Sequence, residues 1–135
     1  MAPGYFISKA KQLVGGLFSL DPCSTQVANR NHVGKIAHTI FTKENNGLRC
    51  PWFGNVWLFP PCTKKYPSGE SQQQDWFTKA ESDYNSKNIT SCLLLMRIEQ
   101  GSQWMRSAAS LPSCLLFDSI HKDANDSSAY MLIYM

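Results

Sequence analysis

The stretch Asn55-Val56-Trp57-Leu58-Phe59-Pro60-Pro61-Cys62 is a short apolar run that stops at two prolines, and the reading of the whole chain turns on it. The β-branched and aromatic side chains from Val56 to Phe59 suit a buried strand. Neither Pro60 nor Pro61 has an N–H with which to continue a ladder, so the backbone leaves the sheet here. In an open α/β sheet the crevice beyond the strand ends is where ligands bind. A rigid Pro-Pro turn in that place holds its carbonyls in fixed directions. The same eight residues also describe an ordinary strand ending in a proline turn, and only the surrounding sequence separates the two.

Upstream, Phe6 to Val14 carries apolar residues at Phe6, Ala10, Leu13 and Val14, the spacing of a short amphipathic helix that Gly15-Gly16 ends. Leu17 to Leu20 reads as a short buried strand delivering Asp21-Pro22-Cys23-Ser24. A carboxylate at the C-terminal end of a strand can receive a polar group of a ligand, although an Asp before a Pro is also a common turn former. Ser24 or Thr25 is placed to cap a weak helix through Val27, Ala28 and Asn29, and Asn31 to His38 reads as irregular. Ile40-Phe41-Thr42 is expected to form a brief strand. Lys43 to Gly47 is expected to be a turn because it ends in Asn-Gly.

Downstream, Cys62 to Gln74 is polar, with Pro67, Gly69 and three consecutive glutamines, and reads as a surface loop. A helix is expected from Asp75 as N-cap, with Trp76, Phe77, Ala80 and Tyr84 on one face; burial of such aromatics is commoner than a stacking platform. Ser91 to Ile98 is a strongly apolar strand, Trp104 to Ser110 a short helix, and Ser113 to Phe117 and Ala129 to Tyr134 are two further strands. Strands separated by helical stretches make an α/β fold with a mainly parallel sheet.

A chain of 135 residues is expected to be one domain, residues 1–135, with a single core. Its 43% apolar and 17% charged residues are those of an ordinary globular protein, and a net charge of +3 suits an anionic partner without requiring one. The five cysteines, Cys23, Cys50, Cys62, Cys92 and Cys114, include no Cys-x-x-Cys pair, which argues against a disulfide framework and a zinc site and for a reducing, intracellular setting. His32, His38 and His121 lack metal-ligand spacing, so no metal is expected. No apolar run reaches the roughly 18 to 20 residues of a membrane span, and Met1 to Tyr5 does not open a secretory signal. A soluble protein is expected, its compartment unspecified.

Two motifs in fixed order carry a resemblance. They are Asp21-Pro22-Cys23-Ser24, and then Phe41-Thr42-Lys43-Glu44 through Gly47-Leu48, Pro51-Trp52, Gly54, Val56-Trp57 and Pro60-Pro61. Together they resemble the phage-type DNA N6-adenine methyltransferase family, which reads approximately D-P-C-[AS] and then F-T-x-E-D-D-G-L-x-x-P-W-x-G-x-V-W-x-N-P-P-Y. The likeness runs more loosely through Trp76, Lys79 and Trp104 to Ser128-Ala129. It implies a small Rossmann-like domain that uses S-adenosylmethionine and acts on DNA. Asp21, Pro22, Cys23, Ser24 and Asn29 would then lie at the cofactor, Phe59, Pro60, Pro61 and Cys62 at the catalytic position against the target base, and Lys64-Lys65 would be candidate contacts to nucleic acid.

The chemistry explains that division. A base must leave the stack to be methylated, and its amino group then needs acceptors that free its lone pair. The family's Asn side chain and the first proline carbonyl would supply them, and its Tyr would stack on the base. Here Phe59 stands for that Asn and Cys62 for that Tyr, so only the Pro60 carbonyl remains. The two losses together come to roughly 4 to 7 kcal/mol, or about three to five decades in rate. Asn46 also replaces the turn's second Asp, Ile7-Ser8 stands where Thr-Pro is usual, and the Gly-Arg expected near Ser119-Ile120 is missing. Two other readings follow: a non-catalytic cofactor- or nucleic-acid-binding module, and a cytosine-C5 methyltransferase with Cys62 as nucleophile, for which the partner Glu-Asn-Val segment and Gly-rich loop are not evident.

Overall fold

Gly54–Leu58, the apolar run before the prolines, is an interior strand of the sheet. The computed structural model describes residues 4–30, 35–61, 71–116 and 129–135. In chain order these form α1 (Gly4–Leu13), β1 (Phe18–Asp21), α2 (Gln26–Arg30), β2 (Ala37–Ile40), a 3-10 helix (Gly47–Arg49) and β3 (Gly54–Leu58). Then follow α3 (Gln73–Asn85), β4 (Ile89–Arg97), α4 (Gln103–Ala108), β5 (Ser113–Leu116) and β6 (Tyr130–Tyr134). The described strands make one sheet in the order β2-β1-β3-β4-β6-β5. Strands β2, β1, β3 and β4 pair in parallel, and β6 lies antiparallel between β4 and β5. The protein is thus α/β with a mixed, mostly parallel sheet.

Period-two alternation sends the strand side chains into two separate apolar layers. Leu20, Val56, Leu58, Cys92, Leu94, Met96, Met131 and Ile133 pack with Trp76, Phe77, Ala80 and Trp104 of α3 and α4 on one face. Phe18, Trp57, Leu93, Leu95 and Tyr130 pack with Ile7 and Ala10 of α1 on the other. An apolar layer on each face explains why Cys92 to Met96 is apolar at every position rather than at alternate ones.

Several local expectations shift. The brief strand after the irregular segment is Ala37–Ile40 rather than Ile40 to Thr42, because Phe18 and Asp21 of β1 pair with Ala37 and Ile40. Asp75 lies inside the first turn of α3, whose N-cap is Gln72. Tyr84 is 40% exposed, and Asp83 takes the buried position one residue earlier. Thr25 does cap α2, its hydroxyl accepting the Ala28 N–H at 3.0 Å.

The largest correction concerns the glutamines expected in a surface loop. Gln73 is 1% exposed and clasps the end of β4: its Oε1 accepts the Arg97 N–H at 2.7 Å and its Nε2 donates to the Arg97 carbonyl at 2.8 Å. The same amide nitrogen and the Ser71 hydroxyl both donate to Glu99. Gln74 accepts the Trp104 N–H at 2.8 Å, satisfying one open donor at the start of α4. Replacing Gln73 by Ala strands two backbone groups of Arg97 and is expected to cost about 2 to 4 kcal/mol, read from the midpoint of urea unfolding. A shift within error of the parent would show that water replaces the clasp without loss.

Candidate functional site

After β1 the chain moves outward to β2, then returns past β1 to β3, so the strand order reverses between β1 and β3. Such a switch point opens a crevice at the C-terminal strand ends. Here it is about 700 Å³, within the range of about 300 to 1,000 Å³ usual for small-molecule sites. Asp21, Pro22, Cys23 and Ser24 line it from β1, and Phe59, Pro60 and Pro61 line it from β3. The two segments singled out in the sequence thus meet in one cavity.

Asp21 is 4% exposed, and one carboxylate oxygen accepts the Cys23 N–H at 3.2 Å. Among the described residues no lysine or arginine forms an ion pair with it. Burial therefore dominates and pushes its carboxyl up from 3.8 to about 7, against the opposing pull of hydrogen bonds from Cys23 and Ser24. Burial first, and the Asp21 charge second, push the Cys23 thiol up to about 12, so Cys23 is no thiolate nucleophile.

The wall opposite is the turn after β2 and the 3-10 helix, and it approaches closely because Gly47 has no side chain. A Cβ at Gly47 would lie 2.0 Å from the Pro22 carbonyl oxygen, an impossible contact with fixed backbone. The residue before it, Asn46, sits at φ 53, a left-handed conformation that Asn tolerates better than most. The Gly47 carbonyl in turn accepts the Trp52 indole N–H at 2.8 Å. Gly54, at φ +66, is also required, since a Cβ there would lie 2.2 Å from the Ser19 hydroxyl oxygen. These contacts give physical reasons for the spacing of Asn46, Gly47, Trp52 and Gly54.

At the other end of the crevice Phe59 is half-buried, its ring 6.3 Å from that of Tyr130. Pro60 is buried behind it. Ile7, Ile36, Trp57 and Trp76 make the remaining walls largely apolar, with Thr42, Lys43 and Gln72 as polar groups among them. Ile7, which stands where the resembled family has its Thr-Pro near the cofactor, reaches the crevice through α1, whereas Ile36, Gln72 and Trp76 carried no local signal and are brought in by the packing of β2 and α3.

Asn29 is not among the lining residues. Its side-chain oxygen accepts the N–H groups of Ile36 and Ala37, and its amide donates to the Ala37 carbonyl, which fixes α2 against the start of β2. Its work is to hold the crevice's frame. Cys62, Lys64 and Lys65 lie outside the described residues. Among the described residues no helix is long and apolar enough to cross a membrane, and no three of His, Cys, Asp and Glu converge as a metal site.

The arrangement suits a ligand with an apolar ring system and a cationic or hydrogen-bond-donating group, the ring against the isoleucines and tryptophans and the polar group toward Asp21. In comparisons with known proteins, no family, no curated protein and no solved structure matches this chain.

Proposed function

We propose that the crevice between β1 and β3 is the S-adenosylmethionine site of a Rossmann-like domain of the DNA adenine methyltransferase type, in which Phe59 slows methyl transfer to adenine. The observation carrying this reading is that Asp21 and the Pro60-Pro61 turn line one cavity at the reversal of strand order. The Asp21 end of the cavity supports the cofactor, and the proline end keeps one of the two acceptors that such a reaction uses. S-adenosylmethionine, when bound, supplies an electrophilic methyl group on a sulfonium, and it carries an ammonium group as well. A buried carboxyl that forms no ion pair among the described residues is a fitting partner for either charge, and the apolar walls of Ile7, Ile36 and Trp57 fit an adenosine ring.

The chain's own part at the base end is the Pro60 carbonyl, which would accept one hydrogen bond from an adenine amino group. Phe59 offers no second acceptor, and the loss of one such acceptor is worth about 3 to 4 kcal/mol, or two to three decades in rate. The contact of Phe59 with Tyr130 favours a second reading of the same crevice, a module that binds cofactor or nucleic acid without transfer.

The test is stability against ligand. S-adenosylmethionine at 100 times its dissociation constant is expected to add about 2.7 kcal/mol to unfolding, measured beside methyl transfer to duplex DNA. Stabilisation without transfer selects the module. No stabilisation at millimolar concentrations would remove the cofactor assignment altogether.

A further inference from the structure

A second, open crevice of about 520 Å³ runs along the α3 face, between the segment from Arg49 to Trp52 and the C-terminal half of α3. It shares a wall with the first. Trp52, which lines the second crevice, stacks on Trp76, which lines the first, with ring centroids 6.2 Å apart. The 3-10 helix gives Gly47 to the first crevice and Arg49 to the second.

The charges in this second crevice are arranged to leave a net positive pocket. Lys79 Nζ lies 5.4 Å from the centre of the Trp52 ring and 2.9 Å from Asp83 Oδ2. Asp83 Oδ1 accepts the Asn88 amide at 3.0 Å. The carboxylate is thereby committed to two partners, and the Lys79 ammonium is held in place with donor capacity to spare. Arg49 is exposed at the rim, and among the described residues its guanidinium forms no ion pair. A held ammonium and an exposed guanidinium lining one crevice, with its carboxylate already paired, suit a phosphate group.

The aromatic ring decides what carries that phosphate. Trp52 is 3% exposed, with Lys79 on one side of its ring, Trp76 stacked against it and its N–H given to Gly47. No ring face is left for a base to stack on, so the crevice fits a bare phosphate and not a nucleotide. We infer that this second crevice seats a backbone phosphate of the same polynucleotide whose base enters the first crevice. The inference rests on the proposed function for its partner and on Arg49, Lys79 and Trp52 for its chemistry.

The test is the salt dependence of binding of a labelled, adenine-containing DNA duplex by fluorescence anisotropy, with Arg49→Gln and, as control, Arg106→Gln on α4. Arg49→Gln is expected to weaken binding about three- to tenfold and to lower the slope of log affinity against log salt by about one, because one phosphate contact is lost. Arg106→Gln should leave the slope unchanged, and both variants should keep the parent's stabilisation by S-adenosylmethionine. A duplex that binds with a slope indifferent to Arg49→Gln, or one lowered equally by Arg106→Gln, overturns the subsite while leaving the proposed function intact. Competition by adenosine monophosphate as strong as that of the duplex, and lost in Arg49→Gln, overturns it in favour of a free nucleotide in the second crevice. Failure of S-adenosylmethionine to stabilise the parent counts against the proposed function, and the subsite is still decided by the slope.

Discussion

Replacing Phe59 by Asn together with Cys62 by Tyr is expected to raise methyl transfer to adenine in DNA by about three to five decades, the largest single effect the chain offers. Two restored contacts add. An amide oxygen beside the Pro60 carbonyl restores the second acceptor for the adenine amino group, worth about 3 to 4 kcal/mol in the transition state. A phenol restores a face for the base, worth on the order of 1 to 3 kcal/mol. The exchange has a cost in packing, because Phe59 is half-buried against Tyr130, and losing that contact should lower stability by about 1 to 2 kcal/mol. Folding should therefore be checked by urea unfolding before rates are compared. A folded double variant that is stabilised by S-adenosylmethionine yet methylates no DNA would place the defect beyond these two side chains.

The second large effect is a dependence of stability on pH that runs opposite to that of a salt-bridged carboxylate. Asp21 holds its proton up to about 7 in the folded protein but releases it near 3.8 when unfolded. Between those values the native state binds more protons than the unfolded chain, so raising the pH favours unfolding. The contribution is fully present below pH 4, declines through the interval, and is gone above about pH 7. Its size is about 4 kcal/mol, an order-of-magnitude figure. Asp21→Asn should flatten this slope and make the protein more stable than the parent at pH 8, since the amide oxygen can still accept the Cys23 N–H. Denaturant unfolding at pH 5, 6, 7 and 8 reads both. A ligand cation at Asp21 adds a second signature: S-adenosylmethionine should bind more tightly at pH 8 than at pH 6 to the parent, and equally at both to Asp21→Asn. A parent whose stability changes with pH across this interval just as that of Asp21→Asn does would show that Asp21 is ionised throughout.

Much of the scaffold was legible because it is local. The β-branched and aromatic run from Val56 to Phe59, the apolar run from Cys92 to Met96, and the breaks at Gly15-Gly16 and Pro60-Pro61 are carried by neighbours in the chain, and each emerges as the strand or boundary expected. So were the two segments that line the crevice, since each announces itself by a proline after a strand. The misreadings share one cause. Gln73 looks like loop because polarity is read as exposure, yet a polar side chain is stably buried when a distant backbone meets both its donor and its acceptor, as Arg97 does 24 residues away. Asn29, placed at the cofactor by the resemblance, has its side-chain oxygen and amide engaged with the backbone of Ile36 and Ala37, which local sequence does not announce either.

By itself, then, the sequence determined an α/β alternation, strand ends at Leu20 and Phe59 that each lie one residue from the observed Asp21 and Leu58, and the absence of an amide and a phenol beside the prolines. Tertiary structure alone decided that β1 and β3 are neighbours with the order reversed between them, that Gly47 brings a second wall against Pro22, and that Asp21 is buried with no ion-pair partner among the described residues. The reason is that pairing order, close approach and desolvation are properties of segments far apart in the chain, and no pattern within one segment encodes what another will bring against it.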